Sequence, residues 1–253
     1  MGEDLNISII TVCFNNAHTI EQTLRSVASQ THKSVEHIVI DGASKDDSLS
    51  IIDRYRAGIS KVISESDQGI YDAMNKGIVL ARGDVIGFLN ADDVYANEGV
   101  LARVASIMAK EGPDALLGDV EFFRPENPLR TVRRYRSIHF RPDRIAFGWM
   151  PAHPALFLRR HVYQRYGLFR TDYRIAGDFE YIARIFHDSE LSYLCVPETL
   201  VRMRTGGIST SGWRNTLLLN REVLRACRDN GIDTHMLKIL SKYPAKLLEF
   251  LVK

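Results

Sequence analysis

Asp84-Val85-Ile86-Gly87-Phe88-Leu89-Asn90-Ala91-Asp92-Asp93 reads as one buried strand running straight into two carboxylates. Its near-continuous apolar centre suits a strand covered on both faces, as in a parallel sheet between helices. The pattern repeats outward from it. Upstream, Ile7 to Cys13 is a β-branched run, followed by a polar break over Asn15 to His18. Ile20, Leu24, Val27 and Ala28 then recur at helical spacing. Val35 to Ile40 is a second strand, closed by Asp41-Gly42-Ala43-Ser44. Ser44 with Asp47 three residues later predicts a helix start, with Leu49, Ile51, Ile52 and Tyr55 as its apolar positions. Lys61 to Glu65 reads as a third strand and Ile70 to Ala81 as a third helix. Downstream, helix pattern covers Glu98 to Lys110 and strand pattern Ala115 to Phe123.

Strand and helix alternating at about 20–30 residue intervals predict parallel βαβ units. Sites in such sheets lie at the carboxyl ends of the strands. Those ends are Thr11-Val12-Cys13, Asp41-Gly42, Glu65-Ser66-Asp67 and Asn90-Ala91-Asp92-Asp93, and three of the four bring carboxylates. An acidic cleft along one sheet edge is therefore expected.

The chain has 253 residues, enough for one large domain, with 33 Lys and Arg against 31 Asp and Glu. No apolar run reaches the ~18 residues of a membrane span, and the acidic N-terminus lacks a signal-peptide core. Cys13, Cys195 and Cys227 are too few and too scattered for a disulfide framework or a Cys-x-x-Cys site, so a reducing, cytoplasmic setting is expected. Charge is uneven: residues 1–120 carry 10 basic and 18 acidic side chains, and residues 121–253 carry 23 and 13. An acidic, cation-binding half and a basic, anion-facing half is one reading, and ordinary solvated faces the other. Residues 124–144 hold seven arginines and three prolines, read as a loop and a basic strand over Thr131–Arg136. Ala155–Arg159 reads as a strand and Phe179–Phe186 as a helix. Ser192–Val196 and Leu200–Met203 read as short strands around Pro197. Thr205 to Thr210 is a flexible loop, and helices broken near Gly231 and Pro244 follow from Trp213.

Two carboxylates at a strand end repel unless a cation or water separates them. Oxygen donors with no Cys or His partner suit Mg or Mn rather than Zn, and such an ion bridges to a diphosphate. The alternative for Asp92-Asp93 is a strand-terminating turn. Asp41 could accept a hydrogen bond from a nucleobase, or cap the helix expected after Ser44.

Several segments in fixed order, from Ser8 to Asp93, resemble the family-2 glycosyltransferases. They are SIITVCFNN from Ser8, SVASQT from Ser26, EHIVIDGAS from Glu36, SESDQGIYDAMNKGI from Ser64 and ARGDVIGFLNADD from Ala81. The likeness continues more loosely through HPALFLRR from His153, AGDFEYIAR from Ala176 and GGIS from Gly206, about residues 7–210 in all. It implies an α/β GT-A fold: a Rossmann-like, mostly parallel central sheet flanked by helices, here with a helical C-terminal extension. Residues 1–120 would form the nucleotide-sugar donor half, 121–212 the acceptor and catalytic half, and 213–253 the extension.

The resemblance also implies roles. Thr11 and Asp41 would line the base and ribose site, with Cys13 and Asn15 beside them. Asp67, Gln68, Gly69 and Asn75 would belong to the donor-side loop and helix. Asn90-Ala91-Asp92 stands at the Asp-x-Asp motif, with Asp92 as ligand of a divalent Mn or Mg. Asp178 matches the catalytic base, and Gly206-Gly207-Ile208-Ser209 a loop closing over the diphosphate. His153, Arg204, Gly207 and Ser209 are candidates for acceptor or diphosphate contacts. The chain departs from the pattern at three places: Asn90 stands for the first acid, Gly177 for an acid often preceding the base, and Met74 for an arginine near the nucleobase.

Inverting transfer needs a base on the acceptor hydroxyl, worth ~10²–10⁴-fold. Asp178 opens an apolar helix pattern (Phe179, Ile182, Ala183, Phe186), where a helix N-terminus favours the ionised form. A simple N-cap is the alternative. Glu180, ~200° round the helix, should face elsewhere. The expected activity is inverting sugar transfer from a nucleotide-diphosphate donor to a lipid-linked or saccharide acceptor, in cell-surface polysaccharide or glycolipid assembly. A non-catalytic nucleotide-sugar-binding protein is the runner-up. A nicotinamide oxidoreductase is disfavoured because no Gly-x-Gly-x-x-Gly follows the first strand. Nucleic acid is not an expected partner, since the arginine-rich segment has few aromatics. In residues 236–253, Leu240, Tyr243, Leu247 and Leu251 share one helical face, and Lys238, Lys242 and Lys246 another. Such a helix lies on the inner face of an anionic membrane, or packs on its own domain or on a second copy in a homo-oligomer.

Overall fold

The computed structural model describes residues 5–206 and 212–243. One mixed sheet runs through the chain. Its strands are β1 (Ile7–Cys13), β2 (Val35–Asp41), β3 (Lys61–Ser64), β4 (Val85–Phe88), β5 (Val94–Tyr95), β6 (Ala115–Arg124), β7 (Asn127–Tyr135), β8 (Leu156–Arg159) and β9 (Tyr193–Arg204). The spatial order is β3-β2-β1-β4-β8-β6-β9-β5, with β7 paired to β6. The first four strands are parallel, as the βαβ pattern requires, and the two longest ladders, β1–β2 and β6–β9, are both parallel. β8 enters antiparallel between β4 and β6, so strands from the second half extend the same sheet.

Helices cover both faces: α1 (Ile20–Ala28), α2 (Ser48–Arg54), α3 (Ile70–Leu80), α4 (Val100–Glu111), α5 (Arg160–Tyr166), α6 (Gly177–Phe186), α7 (Trp213–Asp229) and α8 (Met236–Leu240). Every residue of β1 is buried, and its side chains alternate between two cores. Ile10 and Val12 pack with Met74 and Ile78 of α3 and with α6. Ile7 and Ile9 pack with α4, and Cys13 with α1 and α2. Gly77 lets α3 approach closely: a Cβ there would lie 2.4 Å from Ile10 Cγ2.

Several boundaries differ from the sequence reading. The second helix starts at Ser48, not at Ser44, because Ser44 is drawn to Asp41. The two short strands expected around Pro197 form one strand, β9. A register shift opposite Gly118 and Asp119 accommodates the proline, which has no N–H to donate. The basic strand begins at Asn127 rather than Thr131 and forms a hairpin with β6. β5 and α5 were not anticipated, being only two and seven residues long. α7 stops before Gly231, whose φ of +69° ends the helix. In α8, Ile239 is core and Lys242 beyond it is 5% exposed, so Lys242 does not belong to a solvated basic face. Gly207, Ser209, Pro244, Lys246, Leu247 and Leu251 lie outside the described residues.

One buried pair sets a pH dependence of stability. His37 on β2 is 3% exposed, with Nε2 3.0 Å from Thr11 Oγ1. Burial pushes its imidazole down to about 4, against about 6.5 when unfolded. Between those values the unfolded chain binds the extra proton, so His37's contribution is complete above about 6.5 and is lost as pH falls toward 4. From pH 7 to 4.5 the wild type should lose roughly 2–3 kcal/mol more than His37→Gln does. Urea unfolding of both proteins at the two pH values checks this, and equal losses would assign the dependence elsewhere.

Candidate active site

The carboxyl ends of β1 to β4 build a continuous rim. The loops after β1 and β2 each carry one non-glycine residue in the left-handed region, Asn15 at φ +54° and Ala43 at φ +60°. For alanine this costs about 1–2 kcal/mol, so the surrounding bonds must hold it. Asn15 N–H donates to Ser44 Oγ at 2.8 Å, and Lys45 N–H donates to Asn15 Oδ1 at 2.8 Å. Asn16 N–H donates to Ser48 Oγ at 2.8 Å. The two loops are therefore one unit.

Asp41 fastens that unit from beneath. Its carboxylate is fully buried and accepts from Ser44 N–H and Oγ, from Ser64 Oγ at 2.7 Å and from the Cys13 thiol at 3.6 Å. Burial, with Asp41 adding to it, pushes the Cys13 thiol up to about 12, so it stays protonated and donates to Asp41. Thr11 turns into the core toward His37, and Ala91 is 2% exposed. Asn75 spends both ends of its amide on Phe169, donating to its carbonyl at 2.8 Å and accepting its N–H at 2.9 Å. Thr11, Cys13, Asp41, Asn75 and Ala91 thus form the support of the rim rather than its surface.

Asn15, Asp67, Gln68, Gly69, Asn90 and Asp92 reach the surface of the rim. Asp67 accepts Gly69 N–H at 2.9 Å and lies against Gly42, where a Cβ would sit 2.5 Å from its Oδ2. Gln68 N–H donates to Asp72 Oδ2. The same Cβ position is 3.3 Å from the Phe14 ring, which is 59% exposed. Sequence reasoning missed Phe14. The available signal was a large apolar side chain following a complete strand with no helix yet begun to bury it.

Asp92 and Asp93 do not stand together in the cleft as the doublet suggested. Asp93 is 1% exposed, beside Asn90 and near Arg204, and burial with the adjacent Asp92 charge pushes its carboxyl well up. Asp92 is half-buried; burial raises its carboxyl and the Arg204 guanidinium works against that. Register explains the guanidinium: β5 pairs Val94 with Arg202, so Arg204 falls opposite Asp92. Arg204 also donates to Gln22 Oε1 at 2.5 Å and lies over the Phe123 ring. Asn90 Oδ1 and Asp93 Oδ2 are buried acceptors without a hydrogen-bond partner.

Asp178 is held from three sides. Its Oδ1 accepts Phe179 N–H at 2.8 Å and lies 3.2 Å from the Tyr71 hydroxyl, which also donates to Ile175 O at 2.6 Å. His153 approaches from the turn before β8, 7% exposed, its ring 5.1 Å from that of Phe88. Burial raises the Asp178 carboxyl above the usual carboxylate range, while His153, Phe179 N–H and Tyr71 moderate the rise. The helix start alone therefore does not set its ionisation, contrary to the sequence reading. Burial lowers His153 against the pull of Asp178. Glu180 faces elsewhere, pairing with Arg184 at 2.9 Å. Gly177 is explained by Tyr71: a Cβ on it would lie 2.7 Å from the Tyr71 ring. An acid at that position would displace the tyrosine that touches Asp178.

Contacts, chain neighbours and electrostatic interactions connect these groups in sequence. Asp41 joins Gly42, Asp67 and Gly69 to Tyr71 at the start of α3, then Asp178, His153 and Phe88. From Phe88 the strand leads to Asn90, Asp92 and Arg204.

A sequence profile of glycosyl transferase family 2 matches residues 8–168. A PGL/p-HBAD biosynthesis glycosyltransferase of Mycobacterium tuberculosis is 32% identical over 188 residues, 73% of this chain and 71% of the relative. A second M. tuberculosis glycosyltransferase is 31% identical over 196 residues, 77% and 71% of the two chains. TarS 1–349 of S. aureus superposes with a TM-score of 0.68 over 93% of this chain and 71% of that one, at 18% identity. A mannosyltransferase of Pyrobaculum calidifontis, solved with GDP-Man and Mn2+, gives 0.61 over 87% and 64%, also at 18% identity. The chain belongs to glycosyl transferase family 2, and its fold is the GT-A fold of these glycosyltransferases.

Proposed function

We propose that this chain is an inverting glycosyltransferase that moves a sugar from a nucleoside-diphosphate donor to an acceptor hydroxyl. The observation that carries the reading is Asp178: a carboxylate gripped by Tyr71 and Phe179 N–H and raised by burial, with His153 beside it against Phe88 of β4, the strand that leads to Asp92. Asp178 accepts the acceptor's proton as its oxygen attacks the anomeric carbon. Arg204, opposite Asp92, meets the charge left on the departing nucleoside diphosphate. Phe14, exposed beside Asp67, offers a face for the nucleobase.

The donor set fits a hard divalent cation, Mn or Mg. Asp92 supplies a half-buried carboxylate and Asn90 an unpartnered carbonyl oxygen. Among the described residues no cluster of three His, Cys, Asp or Glu side chains could hold a metal. One carboxylate with substrate phosphates completing the shell is the Mg-like pattern. When bound, such an ion neutralises charge on the diphosphate. The mannosyltransferase bound to GDP-Man and Mn2+ and the TarS complexes with UDP and UDP-GlcNAc support this choice of ligands.

Thermal-shift screening against UDP and GDP sugars with Mn or Mg tests the donor. A donor at a hundred times its dissociation constant stabilises by about 2.7 kcal/mol. No shift with any nucleotide sugar would defeat the proposal, and a shift without turnover would favour the non-catalytic reading.

The acceptor in this reading is lipid-linked or a saccharide, in glycolipid or surface polysaccharide assembly, and the 32% identical relative is named for PGL/p-HBAD biosynthesis. Peripheral contact with the inner face of the membrane belongs to this reading. Among the described residues no helix is long and apolar enough to cross a membrane. Leu237 and Leu240 are nonetheless exposed, at 76% and 39%, with Lys238 over the Phe147 ring. Anionic liposomes should pellet the full chain, and a Leu237→Ser, Leu240→Ser double variant should stay largely in the supernatant. Equal pelleting would remove this face from the contact.

A further inference from the structure

Asp178 sits two residues past the N-cap of α6, and that cap is Ala176, which has no side-chain acceptor. Backbone donors at a helix start need partners, ordinarily from a Ser, Thr, Asp or Asn at the cap. Here the amide of the cap itself and the two amides before it are served from 46 to 48 residues away, and in the first turn Phe179 N–H goes to Asp178 Oδ1. Glu222 of α7, 8% exposed, accepts Arg174 N–H on Oε1 and both Ile175 and Ala176 N–H on Oε2, each at 2.8 Å. Three successive amides closing on one carboxylate form an anion nest. The opposite side of the segment is held by Tyr71, whose hydroxyl donates to the Ile175 carbonyl and reaches Asp178 Oδ1. Further along α7, Asp229 takes Arg170 at 2.7 Å and the Tyr173 hydroxyl at 3.0 Å, and Arg225 pairs with Asp172. The segment 170–176 is thereby fastened to α7 at both ends.

We propose that Glu222 is a positioning residue for Asp178: it fixes the conformation of residues 174–176, and through them the direction of the Asp178 carboxylate and its contact with Tyr71. This rests on the reading of Asp178 as base. The groups facing Asp178 are Tyr71 from α3, His153 from the turn before β8 and Phe179 N–H of its own helix, with Glu222 behind the segment from α7. Hydrogen bonds to the charged carboxylate favour that form, so loosening them moves the base upward.

The test is steady-state kinetics across pH, with donor affinity by calorimetry and melting temperature measured on the same preparations. Glu222→Ala should lower kcat about 10–100-fold, the scale of an ångström-sized misplacement. Its acid limb of kcat/KM should move up by about half to one pH unit, with donor affinity within about twofold of wild type. Glu222→Gln, which keeps a carbonyl oxygen for Ile175 and Ala176, should recover most of the rate. If the alanine variant does not fold, Glu222→Asp, one methylene short of the amides, carries the same readouts. A lowered melting temperature with unchanged kcat per folded molecule and an unmoved acid limb would overturn the inference. Asp178→Asn run in parallel separates the two claims: full activity there removes the base, whereas an inactive Asp178→Asn beside unmoved Glu222 limbs removes only Glu222.

Discussion

Asp178→Asn should lower kcat about 10²–10⁴-fold, the range for loss of a positioned base, and leave nucleotide-sugar affinity close to wild type. The substitution is nearly isosteric, and Asn Oδ1 can still accept Phe179 N–H and face the Tyr71 hydroxyl, so the segment is not disturbed. What disappears is a carboxylate able to take a proton. Burial holds Asp178 above the ordinary carboxylate value, so the wild-type acid limb of kcat/KM should lie above about pH 3.9, with activity falling as pH drops through it. Kinetics with calorimetric donor affinity on the same protein check both halves. A fully active variant would remove Asp178 from the role, and one that also lost donor binding would make it a donor contact.

The parallel half of the fold was legible because its signal is local. Ile7–Cys13, Val35–Asp41 and Val85–Phe88 are dominated by β-branched and aromatic residues and run into polar breaks. What the chain does after Phe123 was less legible. β9 contains a proline, and only its long parallel ladder with β6, which absorbs a register shift, makes it one strand. β5 has no signal of its own and exists because Arg202 and Val201 lie alongside it.

At the site, residue type and position identified the rim, but orientation divided it. Thr11 and Cys13, two residues apart, share one face of β1, and Asp41 lies in register beside Cys13, but the sequence cannot tell which core lies beneath that face. Asn75 reads as a polar helix residue, and only the fold brings Phe169 to it from 94 residues away. The Gly177 departure was visible as an oddity, and its cause, the Tyr71 ring 2.7 Å from the missing Cβ, is a tertiary contact. Glu222 carried no sequence signal, since a glutamate within an amphipathic helix is usually solvated.

Asp92→Ala should abolish the metal dependence of donor binding. The doublet Asp92-Asp93 offers two carboxylates on paper, yet Asp93 is 1% exposed and faces inward, so one carboxylate of the doublet remains at the rim. Asn90 contributes at most a neutral oxygen where an acid would add charge. On the proposed reading the site therefore has little redundancy: removing Asp92 would leave Arg204 to face the diphosphate with neither carboxylate of the doublet to retain Mn. Charge stabilisation by a bound divalent ion is worth several kcal/mol, so nucleoside-diphosphate affinity in Mn should fall about 10²–10³-fold in the variant. In chelator the two proteins should differ little. Calorimetry with UDP or GDP, each with Mn and with chelator, resolves this. Wild-type affinity indifferent to Mn would mean that Asp92 serves the donor without a metal and that Arg204 alone compensates the diphosphate. An Asp92→Ala protein that kept its Mn response would place the ion on other residues.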